Sequence, residues 1–337
     1  MTAGNIRFGI VGCGWAAESF AESCGALSGA RITAVTDIDH NRAGHLARRT
    51  GAEVCADIGM LLDRTDIDAV YVGLPPALIA PAVERALNSG RHVLAEKPLA
   101  LDAAVARHLG ALAEGRRLKL GVFFVLRRAD TVVLARRLVA AGEIGDVRMV
   151  RMATVIDKKL TYWGTPEAPS WRADKAVAGG GVLLMNTIHQ IDTLRFVTGL
   201  DFVSALAAID TFTAPADVED AGAAVLRLSN GALVSLVANA HSPGAQDEET
   251  ITIEGTLGRL DIPDPFGAAP VRLFRRSTSA WEDLAVERGD CHARMIADFL
   301  GAIRGGGTVP ATAADAAAAI TVINAVYASA NDRPRSF

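Results

Sequence analysis

Short apolar runs and longer amphipathic stretches alternate through the first 125 residues. Ile6–Gly12, Arg31–Asp37, Ala69–Gly73, His92–Ala95 and Leu118–Phe124 read as buried strands. Helical patterns lie between them at Ala16–Leu27, Asn41–Thr50 and Ala80–Ser89, the last ended by Gly90. Apolar strands separated by helices of about 10–15 residues predict βαβ units and a parallel sheet covered on both faces. The pattern changes near residue 125. Thr131–Ala141 has helical spacing and stops at Gly142. Longer alternating segments follow at Val147–Ile156, Asp201–Phe212, Ala221–Leu228, Ala232–Ala240 and Thr250–Glu254. Asn230-Gly231, between two of them, is a strong hairpin signal. Two helical patterns close the chain, Cys291–Ile303 and Ala313–Ala330. The expectation is an α/β, doubly wound domain over residues 1–124 and an α+β domain over residues 125–337. The second is built on a large, open, mostly antiparallel sheet with one face covered by helices.

Composition agrees with two folded domains. The chain has 337 residues, 50% apolar and 21% charged, which excludes disordered and fibrous classes. Thirty-four basic against 38 acidic residues leave a net charge of −4. That balance provides neither the basic footprint of a nucleic-acid binder nor a polybasic membrane patch. No apolar run was expected to reach the ~18 residues of a spanning helix. The N-terminus runs straight into the first strand, without the features of a secretory signal. A cytoplasmic protein is therefore expected, with no nucleic-acid or membrane partner. Cys13, Cys24, Cys55 and Cys291 form no CxxC pair, so reduced thiols are expected and no metal.

Three segments carry candidate chemistry. Gly12-Cys13-Gly14-Trp15-Ala16-Ala17 fits G-x-G-x-x-G/A, between the first strand and the first helix. The first glycine permits the tight turn, and the second lets the backbone approach a pyrophosphate on the helix N-terminus. Asp37 ends the second strand, 23 residues after Gly14. A carboxylate there accepts from ribose hydroxyls and repels a 2′-phosphate, which favours NAD; Asp39 and Arg42 leave NADP open. Glu96-Lys97-Pro98 follows a buried strand, at the carboxyl end where ligands of doubly wound sheets bind. Lys97 can stabilise charge developing on a substrate oxygen. Finally, Gly179-Gly180-Gly181 precedes an apolar helix, Val182–Val197, on which Asn186, His189 and Asp192 are spaced by three and share a face. An imidazole suits proton exchange near neutral pH. Tyr162 and Trp163 lie in the connection before it.

In combination these segments resemble the glucose-fructose oxidoreductase / inositol dehydrogenase (Gfo/Idh/MocA) family over nearly the whole chain. The resemblance rests on GIVGCGWAAE at 9–18, Leu74-Pro75-Pro76 at a T-P-P turn, SGRHVLAEKPL at Ser89–Leu99, Glu143–Val147 at a G-x-I-G-x-V turn, and GGGVLLMNTIHQID at 179–192. It implies a Rossmann domain joined to an open antiparallel sheet, and an NAD(P)-dependent oxidoreductase of sugars, polyols or glycosides. It implies catalytic roles for Lys97 and His189, with His189 taking the hydroxyl proton and Lys97 stabilising the alkoxide. Trp171-Arg172 resembles a W-R-G stretch near the cofactor in one subgroup. The expected cofactor contacts are thus Gly12, Gly14, Trp15, Ala16, Asp37, Leu74, Pro75, Glu96, Lys97, Trp171 and Arg172. The expected substrate contacts are Lys97, Tyr162, Asn186, His189 and Asp192. Tyr327 matches a tyrosine often found near the cofactor or the sheet, and is taken as a packing residue.

Two positions depart from the family pattern. Met185 stands where many members have Asp, and Ile79 where many have His. Asn186 beside Met185 cannot relay a proton. Two other classes remain as alternatives: a non-catalytic dinucleotide-sensing regulator, and an NAD-dependent glycosidase that recycles its cofactor. Retention of both Lys97 and His189 favours the dehydrogenase or reductase. Val225, Leu233 and Val237 could line an uncovered sheet face, and the family implies a homodimer or homotetramer formed there.

Overall fold

A computed structural model of the chain describes residues 4–165, 167–212, 216–245, 248–305 and 307–331. The apolar runs become strands and the amphipathic stretches helices, in the order β1 (Ile6–Val11), α1 (Trp15–Gly25), β2 (Ala30–Thr36), α2 (His40–Thr50), β3 (Glu53–Val54), α3 (Ile58–Leu62), β4 (Ala69–Val72), α4 (Pro76–Asn88), β5 (His92–Ala95), α5 (Ala103–Gly115) and β6 (Leu120–Val122). These six strands form a parallel sheet of order β3-β2-β1-β4-β5-β6. Aspartates start three of these five helices. Asp39, Asp57 and Asp102 accept first-turn N–H groups of α2, α3 and α5, each such cap contributing about 1 kcal/mol. α4 begins four residues before the predicted Ala80, because Pro76 is already shaped for a first helical turn.

The chain continues through α6 (Asp130–Ala140), β7 (Val147–Val155), α7 (Leu160–Trp163), α8 (Lys175–Ala178), a π-helical turn at Leu183–Thr187, and α9 (Ile188–Thr198). Then follow β8 (Phe202–Asp210), β9 (Ala221–Leu228), β10 (Leu233–Asn239), β11 (Glu248–Gly255), β12 (Gly258–Ile262), β13 (Val271–Arg275), β14 (Ala280–Leu284), α10 (Cys291–Ile303) and α11 (Ala313–Asn331). The second sheet has eight strands, ordered β14-β13-β12-β11-β7-β10-β9-β8. All neighbours are antiparallel except β7 and β10. Asn230-Gly231 does join β9 to β10, with Gly231 at φ +88. β12, β13 and β14 extend the sheet beyond the strands that the pattern predicts.

Two compact units result. The first contains the chain up to Val125 together with Asp290–Ala318; the second contains Leu126–Gly289 and α11 from Ala319 onward. The units part between Val125 and Leu126, and Asp290–Ala318 lies in the first unit with the parallel sheet. Its apolar face explains why. Phe299 of α10 packs on Phe8 with ring centroids 6.4 Å apart, Ser23 donates to Asp290 at 2.8 Å, and the Val122 N–H donates to Ala311 at 3.0 Å. Phe8, Phe20, Tyr71, Phe123 and Phe299 make this unit's aromatic core, with Tyr71 stacked on Phe20 at 4.0 Å.

In the second unit, Val150, Met152, Leu226, Leu228, Val234, Leu236, Ile251 and Ile253 bury one sheet face. α9 packs on β11 and α6 on β12 and β13. Leu206, Val225 and Val237 stand half-exposed on the opposite face, beside Met149 and Leu233. By length and a mean hydropathy of 1.3 alone α11 is sufficient to cross a membrane, although Asp315 and Asn324 interrupt its apolar run. Ala316, Ile320, Ile323 and Val326 are buried inside the protein, as in the core helix of a globular domain.

Candidate active site

The glycine turn leaves β1 at Gly12, whose φ of +88 favours glycine and where a Cβ would press on the Gly73 carbonyl. Gly14 starts α1 in extended backbone, and a Cβ there would meet no atom within 4 Å. α1 also lacks the side-chain cap that aspartates provide to α2, α3, α5 and α10. Open space and uncapped first-turn N–H groups are what a pyrophosphate requires. Asp37 braces the turn: its carboxylate accepts the Cys13 N–H at 2.6 Å and the Asp39 N–H at 2.8 Å. An ionised carboxylate has about four acceptor sites, so two remain for ribose hydroxyls. Burial, with Asp37 nearby, pushes the Cys13 thiol up to about 12, which leaves it inert. Trp15 is exposed, and Ile38, which the sequence did not single out, is fully exposed beside Asp37. Leu74 and Pro75 are half-buried where β4 passes into α4.

Lys97 follows β5, and Glu96 before it is held from below. The buried Tyr71 hydroxyl donates to Glu96 at 2.7 Å, and the Lys97 N–H donates to its other oxygen at 3.2 Å. Burial, with the Glu96 charge, keeps the Tyr71 phenol protonated far above its ordinary range. The aromatic core thereby fixes the backbone that presents Lys97. The Lys97–Pro98 peptide is cis.

In the second unit, each glycine of the triple has a separate reason. Gly179 ends α8 with φ +78. A Cβ on Gly180 would collide with the Tyr327 hydroxyl, and one on Gly181 with the Glu219 carbonyl. The apolar helix then opens with the π-helical turn, a feature often found at functional sites. Thr187 bonds to Thr154 of β7 at 3.1 Å, and the Gln190 side chain donates to the Ala153 carbonyl at 2.6 Å. These bonds tie both sides of His189 to the sheet. His189 and Asn186 are half-buried.

Asp192 was expected to touch substrate, and the structure corrects this. It is 1% exposed and receives Arg127 in a two-pronged ion pair, with Nε at 2.8 Å and Nη2 at 2.6 Å. His189 and Asp192 both lie in the regular helix α9, and spacing by three carries no sign that Arg127 takes up the carboxylate in the interior. The guanidinium of Arg172 lies 4.8 Å from the Tyr162 ring centroid and 4.4 Å from that of Trp171. The candidate substrate and cofactor groups of this connection thus form one stack, and Trp163 is buried against Tyr162. Ile79, at the position of a family histidine, is wholly buried in α4.

The chain matches two family models. Residues 6–124 match an oxidoreductase family with an NAD-binding Rossmann fold, and residues 132–261 match the GFO/IDH/MocA C-terminal domain. The chain belongs to the GFO/IDH/MocA oxidoreductase family. As a family member it is an NAD(P)-dependent oxidoreductase. A 1,5-anhydro-D-fructose reductase from Ensifer adhaerens is 27% identical over 92% of this chain and 91% of that protein. A dTDP-3,4-didehydro-2,6-dideoxy-alpha-D-glucose 3-reductase from Streptomyces antibioticus is 30% identical over 99% of each. The solved structure of an oxidoreductase domain protein from Kribbella flavida is similar, with a TM-score of 0.89 and 26% identity over 98% of each chain.

Four further residues of the two sites had no local signal. Tyr71 and Arg127 lie within apolar or basic runs that read as ordinary strand and loop. Glu219 lies 38 residues from the glycine it bonds, and Ile38 is a lone apolar residue after a strand.

Proposed function

We propose that this GFO/IDH/MocA protein interconverts a carbinol and a ketone on a sugar or polyol ring, with reduction of a keto-sugar as its working direction. Lys97, at the carboxyl end of a strand in the dinucleotide-binding sheet, is the observation that carries this reading. The 1,5-anhydro-D-fructose and dTDP-didehydro-sugar reductases among its relatives support the substrate class and direction. NAD, when bound, supplies the hydride acceptor or donor.

In this reading the Lys97 ammonium hydrogen-bonds the substrate oxygen and stabilises the charge that gathers on it. The His189 imidazole accepts the hydroxyl proton in oxidation and returns it in reduction. Asn186 and Tyr162 contact substrate hydroxyls and the ring. On the cofactor side, Gly12, Gly14, Trp15 and Ala16 receive the pyrophosphate, Asp37 the ribose, and Ile38 the adenine face. Leu74, Pro75, Glu96, Trp171 and Arg172 line the nicotinamide end. With Met185 replacing an acid, His189 works without a carboxylate at that position.

The half-exposed apolar face around Leu206, Val225 and Val237 is an interface between copies of this chain, and the protein works in the cytoplasm. Light scattering should give a dimer or tetramer that a Val225→Glu/Val237→Glu variant dissociates.

The functional test is NADH consumption at 340 nm across a panel of keto-sugars, including 1,5-anhydro-D-fructose. Turnover that disappears in Lys97→Ala and His189→Gln supports the reading. Tight NADH binding with no turnover on any sugar would indicate the sensor class, and hydrolysis of a glycoside without net NADH change the glycosidase class.

A further inference from the structure

Glu219 touches no group given a role in the reaction above, yet it holds the start of the segment that carries His189. Three consecutive N–H groups are donated to this one residue: Gly181 to Oε2 at 2.8 Å, Val182 to the backbone carbonyl at 3.0 Å, and Leu183 to Oε1 at 2.9 Å. The Tyr327 hydroxyl donates to the same Oε1 at 2.9 Å. A helix start leaves its first N–H groups without internal partners and favours negative charge. Glu219 supplies both needs from a position that is 6% exposed. Burial raises its carboxyl above the ordinary range, against the hydrogen bonds that pull it down.

The neighbouring glycines make the grip tight. Without side chains at 180 and 181, Tyr327 and Glu219 approach the backbone itself. A segment lacking side chains there has its rotation set by the groups that touch it. Beyond it lies the π-helical turn Leu183–Thr187, where the helical phase differs from that of a regular α-helix. The direction of His189 is therefore fixed by the clamp at one end and by Thr187 and Gln190 on β7 at the other.

We propose that Glu219 and Tyr327 are positioning residues, whose clamp on Gly181–Leu183 sets where the His189 imidazole is presented to substrate. The inference rests on the role given to His189 above. A buried polar clamp confers little net stability compared with an apolar contact of the same shape, whereas it specifies a single geometry. Misplacement of a reacting group by about 1 Å costs about 10²-fold in rate. Gln at 219 keeps the size but turns an N–H₂ group toward backbone donors.

The test uses the full chain with NADH bound and needs no sugar for its first arm. The His189 ring signal, assigned with His189→Gln, is followed by ¹⁵N NMR in Glu219→Gln and Tyr327→Phe. Movement of that signal, with those of His40, His45 and His108 unchanged, is expected. In the second arm, kcat on the panel sugar that turns over fastest is normalised to NADH-binding sites. It should fall about fivefold in Tyr327→Phe, the equivalent of one ordinary hydrogen bond of about 1 kcal/mol. It should fall ~10- to 100-fold in Glu219→Gln, with KM for NADH unchanged. If both variants keep kcat within twofold and leave the His189 signal in place, the clamp is only structural and the proposal is wrong. Wild-type turnover in Lys97→Ala and His189→Gln would instead defeat the functional reading, while the NMR arm would still decide the clamp.

Discussion

Asp192→Asn separates a buried anchor from a substrate contact. The Asp192 side chain is 2% exposed and that of Arg127 7%, and two short hydrogen bonds join them. Neutralising one partner leaves a guanidinium buried without its counter-charge, which costs about 3–5 kcal/mol. For a unit of this size each kcal/mol lowers Tm by about 2–4 °C, so a fall of roughly 6–20 °C is expected. Three of the four tryptophans, Trp163, Trp171 and Trp281, lie in the second unit, and Trp15 in the first. In a Trp15→Phe background, tryptophan fluorescence on heating therefore reports the second unit alone. The double variant Arg127→Met/Asp192→Leu should recover most of the lost Tm, because an apolar pair of similar volume leaves no charge buried. KM for the sugar should stay near wild type in the folded Asp192→Asn protein. A raised KM with an unchanged Tm would refute the reasoning and return Asp192 to the substrate.

Further outcomes follow from the same geometry. Lys97→Ala should lower kcat by about 10²–10³ with NAD affinity unchanged in calorimetric titration. Asp37→Ala should weaken NAD binding and raise the NADP-to-NAD affinity ratio, read by the same titration. Gly181→Ala should fail to yield folded protein, because its Cβ meets the Glu219 carbonyl, whereas Gly14→Ala should fold and lose dinucleotide binding; circular dichroism and NADH fluorescence check the pair. The hydrogen bond from Arg7 holds the Asp68 carboxyl below the usual range. The stability it contributes is present above about pH 4 and is lost as pH falls through the lowered value. Urea midpoints of the wild type and Arg7→Met should therefore differ at neutral pH and converge in acid.

The fold was largely legible because its signals are local. Buried strands such as Ala69–Val72, the Gly12 turn and the Asn230-Gly231 hairpin each declare themselves within a few residues. The parts that were missed depend on distant contacts. Asp290–Ala318 joins the first unit only because Phe299 finds Phe8 and Asp290 finds Ser23. β14 is an edge strand with an almost wholly exposed pattern, and β13 beside it has only five residues, too few for a clear alternation. In the site, Asp192 had the right spacing for substrate but not its burial, and a π-helical turn has no signature in hydropathy. The triple glycine was visible; its explanation, Tyr327 and Glu219, was not, since both partners come from elsewhere in the chain.

Hydride exchange with a sugar carbon is tested most directly by isotope transfer. NADH carrying deuterium at both C4 positions is supplied with the panel keto-sugar that turns over, and the product is read by mass spectrometry and NMR. One deuterium is expected on the new carbinol carbon, with NAD that retains the other deuterium released in equal amount. Product without deuterium at that carbon, or product formed without stoichiometric NAD, would contradict that exchange.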